Sequence, residues 1–256
     1  MQQRATQQAG RTDRGDGVAL AWVRTPGRGP TAVFLPGYMS DMTGAKAMLT
    51  ESFCVDHGVA CLRLDYSGHG ASDGAFTDGT IGRWTDDALM LIDRLVQGPL
   101  VLVGSSMGGW IALLATLARP ERIAGLIGVA AAPDFTEDLM WQAMMPAERT
   151  QLERDGVLHV PSLCGDPTPV TAALIADGRT RLLLGQPIPL HCPVRLLHGQ
   201  QDPDVPWQTA LRLAERLQSD DVQVTLIKDG DHRLSRPSDL ALLERALAGF
   251  LLQDRA

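Results

Sequence analysis

Cysteine is scarce in this chain, positive charge is not in excess, and no hydrophobic run of membrane-spanning length goes uninterrupted. Each absence removes a class of protein. Four cysteines in 256 residues, Cys54, Cys61, Cys164 and Cys192, are too few for a disulfide-built scaffold. None are spaced as CxxC. Cys54, His57 and Cys61 lie close together but lack a fourth ligand and straddle a helix-like and a strand-like run, so they read as buried thiols rather than a zinc site. Reduced thiols suit the cytoplasm, with the mitochondrial matrix as the alternative compartment. With 23 basic and 30 acidic residues the net charge is −7, which argues against a nucleic-acid surface. Residues 1–17 hold no apolar segment of the secretory type and read as a flexible polar tail. Val96–Ala118 carries no charge, yet Pro99 and Gly104-Ser105-Ser106-Met107-Gly108-Gly109 divide it, so a strand followed by a helix explains it better than stable membrane insertion.

What is present is an ordinary globular composition, 45 % hydrophobic and 21 % charged, in a chain long enough to bury a core without staples. Short, nearly continuous apolar runs predict strands over Val18–Val23, Thr31–Leu35, Val59–Leu64, Leu100–Val103, Ile123–Val129, Val194–Leu197 and Val222–Ile227. Amphipathic runs predict helices over Thr43–Asp56, Ile81–Val96, Met107–Leu117, Trp207–Gln218 and Pro237–Leu252. This alternation predicts an α/β fold: one domain over 18–256, built on a mostly parallel sheet of seven or eight strands with helices on both faces. The alternation stops between about 134 and 190. That stretch, rich in Pro and Met, reads either as a lid-like insertion or as a decorated connection with its own apolar cluster.

Gly104-Ser105-Ser106-Met107-Gly108 is a G-x-S-x-G between a predicted strand and a predicted helix. That context is what a nucleophile elbow requires, with glycines giving close strand–helix packing and the helix start directing N–H groups at the reacting oxygen. Ser106 is therefore the candidate nucleophile. A serine hydroxyl needs a base. Of six histidines, His232 follows the last strand in Asp229-Gly230-Asp231-His232, at a strand's carboxyl end. His198 lies against the core and reads as a structural or supporting histidine, and His69 as a residue that orders its loop. Asp202, after Val194–Leu197, is the candidate acid that holds the histidine. Asp204 and Asp134 are its rivals, while Asp231 reads as a cap. The oxyanion donors are assigned to the backbone amides of Met107 and of Tyr38, in Pro36-Gly37-Tyr38.

These residues resemble the α/β-hydrolase family over nearly the whole chain. Within it, Phe34–Tyr38, Leu64–Gly74, Val103–Trp110, Leu126–Ala130, Cys192–Gly199, Val205–Trp207 and Asp231–Arg233 resemble the palmitoyl-protein thioesterase and acyl-glucuronide esterase branch of the α/β-hydrolase domain-containing group. Asp134–Pro189 matches that branch poorly. The resemblance implies the set Ser106, Asp202 and His232, and a small-molecule or S-acylated substrate cleaved at an ester or thioester. It implies no metal or organic cofactor. A broad small-molecule carboxylesterase is the alternative, followed by an acyltransferase and by a non-catalytic binding protein on the same fold.

Overall fold

The computed structural model describes residues 6–160 and 167–252. Elements follow in the order β1 (Gln8–Asp13), β2 (Ala19–Thr25), β3 (Arg28–Leu35), α1 (Ala45–His57), β4 (Val59–Leu64), α2 (Ile81–Leu95), β5 (Leu100–Ser105), α3 (Met107–Ala118) and β6 (Ile123–Val129). There follow α4 (Pro146–Asp155), β7 (Val157–Val160), β8 (Thr168–Thr171), α5 (Ala172–Arg179), β9 (Val194–Gly199), α6 (Gln208–Arg216), β10 (Val222–Ile227) and α7 (Pro237–Leu251). Eight strands form one sheet in the order β1-β2-β4-β3-β5-β6-β9-β10. Pairing is parallel across the sheet from β4 to β10, and at the other edge β2 runs antiparallel to both of its neighbours, β1 and β4.

Strand side chains alternate between two apolar layers, because successive residues of a strand point to opposite faces. Val33, Leu35, Leu62, Leu102 and Leu126 pack with Trp84 of α2, Trp110 of α3 and Leu213 of α6. Ala32, Phe34, Cys61, Val101 and Ile127 pack with Phe53 and Cys54 of α1 and Leu243 and Leu247 of α7. Cys54 and Cys61 are thus ordinary core residues. His57 turns away, its Nδ1 lying 2.8 Å from the Phe53 carbonyl, so the three do not gather as metal ligands. Cys164 lies outside the described residues.

The polar tail expected over 1–17 is not a frayed end over its described part. Gln8–Asp13 pairs with Ala19–Thr25 as an antiparallel hairpin, and the Trp22 indole donates to Thr12 at 2.9 Å. An edge strand with one partner needs no continuous apolar run, which is why hydropathy does not reveal it. Residues 1–5 lie outside the described part.

Between residues 134 and 190 the structure shows a short wide helical turn over Thr136–Trp141, then α4, the β7–β8 hairpin and α5. Residues 161–166 of this stretch lie outside the described residues. Met144, Leu152, Leu158, Val170 and Ile175 form a small core of their own. The two ends of this stretch are tied to each other, and one side chain fastens it to α2. The Asp134 carboxylate accepts from the Leu183 and Leu184 amides at 2.8 Å each, and Asp177 accepts from the Gly82 amide at 2.7 Å.

Candidate active site

Parallel pairing sends the loops after β3, β5, β6, β9 and β10 out of the same edge of the sheet. Backbone strain collects there. Among the described residues the non-glycine positions with positive φ are Met39, Ser106, Ala130, Asp134 and Leu234, and all follow the carboxyl ends of β3, β5, β6 or β10. Such conformations cost free energy and persist where the surroundings fix them.

Ser106 occupies the turn between β5 and α3 at φ 55°, ψ −121°. Its amide donates to the Val129 carbonyl at 2.9 Å, and its own carbonyl accepts from Gly109 and Ala132. The flanking glycines permit this turn by close approach. A Cβ on Gly108 would stand 2.0 Å from the Leu35 carbonyl oxygen, and one on Gly104 would stand 2.3 Å from the Gly108 carbonyl oxygen. Ser106 is the N-cap residue of α3, so the positive end of the helix dipole lies at this turn.

The structure brings Ser106, His232 and Asp202 together. Ser106 Oγ lies 3.1 Å from His232 Nε2, and His232 Nδ1 lies 2.8 Å from Asp202 Oδ2. These partners fix the tautomer: Nδ1–H donates to the carboxylate, and Nε2 is left to accept from the serine hydroxyl. The Asp202 side chain is fully buried. Burial pushes its carboxyl up, but hydrogen bonds from His198, His232 and the Val205 amide outweigh this and hold it well below the usual carboxylate range. Its Oδ1 accepts from the amides of Asp204 and Val205 at 2.8 Å each.

The other acids do different work. Asp204 is exposed and Asp134 clamps the insertion, while Asp231 accepts from the Leu234 amide at 2.9 Å and so caps the His232 loop. Lys46 of α1 supports that loop by donating to the Arg233 carbonyl. His69 is buried among Tyr66, Phe76 and Trp84, with Nδ1 3.3 Å from the Ser67 carbonyl. Burial lowers its pKa, against the opposing effect of the Ser67 hydrogen bond. Asp202, Asp204 and His232 each bring one ligand-type atom within 4.8 Å of the others. However, both Asp202 oxygens and both His232 nitrogens are already engaged in the hydrogen bonds above.

Tyr38 and Met107 flank Ser106 on two sides. A Cβ on Gly37, just before Tyr38, would lie 3.2 Å from the Ser106 Cβ, which places the β3 loop against the serine. The Tyr38 ring packs edge-on to Phe76, Trp84 and Phe135. Its hydroxyl donates to the Pro169 carbonyl in β8 at 2.6 Å, and burial pushes the phenol well above its usual value, so it stays protonated. Sequence reasoning missed this link and the Asp134 clamp. Both join residues far apart in the chain, and no local pattern signals them.

The sequence profile described as serine aminopeptidase, S33, matches residues 31–160. The mitochondrial palmitoyl-protein thioesterase ABHD10 of Homo sapiens is 44 % identical over 234 residues, covering 90 % of this chain and 76 % of the relative. Among solved structures, a protein from Agrobacterium vitis S4 assigned as a hydrolase superposes with a TM-score of 0.91 at 41 % identity, covering 96 % of this chain and 98 % of that one. The α/β-hydrolase domain-containing protein 10 from mouse superposes with a TM-score of 0.87 at 39 % identity, covering 94 % and 97 %. With this sheet order and this degree of identity, the chain belongs to the α/β-hydrolase family and is an enzyme of the serine-hydrolase type.

Proposed function

We propose that the protein hydrolyses S-acyl thioesters, and related carboxylic esters, through an acyl-enzyme on Ser106. The observation that carries this reading is the continuous hydrogen-bonded line from Ser106 Oγ through His232 to Asp202, at 3.1 and 2.8 Å. His232 Nε2 takes the hydroxyl proton as Oγ attacks the acyl carbon, and Asp202 stabilises the imidazolium that forms. The Tyr38 and Met107 amides hold the developing oxyanion. Collapse breaks the carbon–sulfur or carbon–oxygen bond, and His232 returns its proton to the leaving thiol or alcohol. Water, deprotonated by the same nitrogen, then releases the acid and restores Ser106.

The thioester preference is supported by the name of the relative from Homo sapiens and by a mostly apolar cavity of about 350 Å³ between β6 and β9, which Glu148 and Thr168 also line. Leu139, Met140, Met144 and Val170 are among its lining residues. Such a surface suits an acyl chain. Among the described residues no helix is long and apolar enough to cross a membrane. The compartment we propose is the cytoplasm or the mitochondrial matrix, the second supported by the name of the relative from Homo sapiens.

Hydrolysis of S-acyl-cysteine peptides carrying acetyl to palmitoyl groups tests the substrate class, alongside the matching oxygen esters. Long-chain thioesters are expected to turn over with the highest kcat/KM. A profile that peaks at acetyl or butyryl oxygen esters would instead make the protein a small-molecule carboxylesterase.

A further inference from the structure

The carboxylate that faces His232 is shared with a second histidine. His198 ends β9 with its side chain only 1 % exposed. Its Nε2 lies 3.0 Å from the Val205 carbonyl oxygen and 3.2 Å from Asp202 Oδ2. Both neighbours are acceptors, so Nε2 carries a proton and donates to both. Asp202 Oδ2 therefore receives two imidazole N–H groups, one from His198 and one from His232, while Oδ1 is filled by the Asp204 and Val205 amides.

We propose that His198 is a positioning residue of the reaction: it fixes the rotation of the Asp202 carboxylate and moderates the pull of Oδ2 on the His232 proton. This rests on the reading of Ser106, His232 and Asp202 as the reacting set. Two effects follow from this arrangement. First, a carboxylate held by four donors cannot roll, so the oxygen that meets His232 is always the same one, at the same angle. Second, a donor on Oδ2 draws electron density from it. Without that donor, Oδ2 would stabilise the charged form of His232 more strongly. The Val205 contact adds a purpose to the tight loop 199–205, because one N–H fastens that loop's backbone and the acid it carries.

The other polar and charged groups around His232 keep their identity when His198 is substituted. They are Ser106 from the β5 turn, Asp204 from the β9 loop, Asp231 and Arg233 from its own loop, and Lys46 from α1. A shift in the rate profile on changing His198 thus reports the His198–Asp202 contact.

Three variants and one measurement on the wild type test this. His198→Gln retains an N–H near the Nε2 position, His198→Asn is too short to do so, and His198→Leu removes the donor altogether. For folded protein, the Asn and Leu variants are expected to lose about tenfold in kcat with KM within about twofold. Their acidic limb of kcat/KM should move up by roughly half a pH unit. His198→Gln should restore both the rate and the profile. A purely structural His198 would lower the melting temperature while leaving the acidic limb where it is in all three variants, and that result overturns the proposal. Should the Leu and Asn variants not fold, nitrogen-15 spectra of the wild-type histidines decide. His198 must be protonated at Nε2 across the active pH range, and a ring protonated at Nδ1 alone contradicts the proposal. A wild type that turns over no ester would instead defeat the reading of Ser106, while the spectra would still report on His198.

Discussion

The hydroxyl of Tyr38 donates to the carbonyl of Pro169 at 2.6 Å. Tyr38 belongs to the loop after β3 that lies against Ser106, and Pro169 belongs to the β8 strand of the insertion. One side chain thus joins the proposed oxyanion loop to the segment between β6 and β9. Tyr38→Phe removes only the hydroxyl and leaves the amide in place. It is expected to raise KM for long acyl substrates about fivefold, the worth of one buried hydrogen bond, with kcat retained. Hydrogen exchange over 167–171 should become faster in the variant. Unchanged KM and exchange would mean that the link is incidental.

Asp202 and Asp204 lie two residues apart, yet only the former is buried against His232. Asp202→Asn is expected to cut kcat by roughly ten-thousand-fold, because the amide no longer holds the required tautomer. Asp204→Asn should retain activity within about threefold. Steady-state kinetics on a short activated ester measure both, and a reversed order would assign the acid to Asp204.

The same carboxyl links stability to pH. Its pKa is depressed in the folded state, so the stability it contributes is present above the unfolded value of about 3.9. That contribution is lost as pH falls from there towards the folded value. In urea unfolding, the stability difference between wild type and Asp202→Asn should be flat from about pH 7 to pH 5 and shift against the wild type below about pH 4. A difference that does not change with pH would show that the hydrogen bonds to Asp202 do not favour its charged form.

The turn at Ser106 depends on the absence of a side chain at Gly108. Gly108→Ala would drive a Cβ to 2.0 Å from the Leu35 carbonyl oxygen, both of them rigid backbone positions. We expect at least about 2 kcal/mol of destabilisation, read as a lower melting temperature. Gly249→Ala, where no atom lies within 4 Å of the added Cβ, is the matched control and should be neutral or mildly stabilising. Equal effects at the two positions would remove the steric argument.

The strand and helix order was legible in the sequence because strands buried on both faces give near-continuous apolar runs, as Leu100–Val103 and Ile123–Val129 do. The β1 strand escaped notice because Gln8–Asp13 is polar and gains its order from pairing with Ala19–Thr25. The β7–β8 hairpin escaped for another reason. Each strand has four residues, and Pro169 stands within one of them, a residue that normally argues against a strand. Ser106, Asp202 and His232, which the structure brings together, are nominated in the sequence by the order of motifs along strand ends and by the family resemblance. The sharing of Asp202 Oδ2 by His198 is not, because it depends on how the loop 199–205 folds back on the end of β9.

The cavity in the insertion offers a separate check on the acyl chain. Ala143 lines it from an exposed position and can accept a larger side chain without disturbing the main core. Ala143→Trp should lower kcat/KM for palmitoyl thioesters at least tenfold and leave acetyl esters within about twofold. Equal losses at every chain length would place the acyl chain elsewhere.

Whether Ser106 is the nucleophile is read most directly from the adduct formed by a fluorophosphonate probe. One modified serine, Ser106, is expected by peptide mass spectrometry after stoichiometric inactivation. Folded Ser106→Ala should take up no probe and turn over no ester or thioester. A phosphonylated residue other than Ser106, or turnover that survives in Ser106→Ala, would contradict this assignment of the nucleophile.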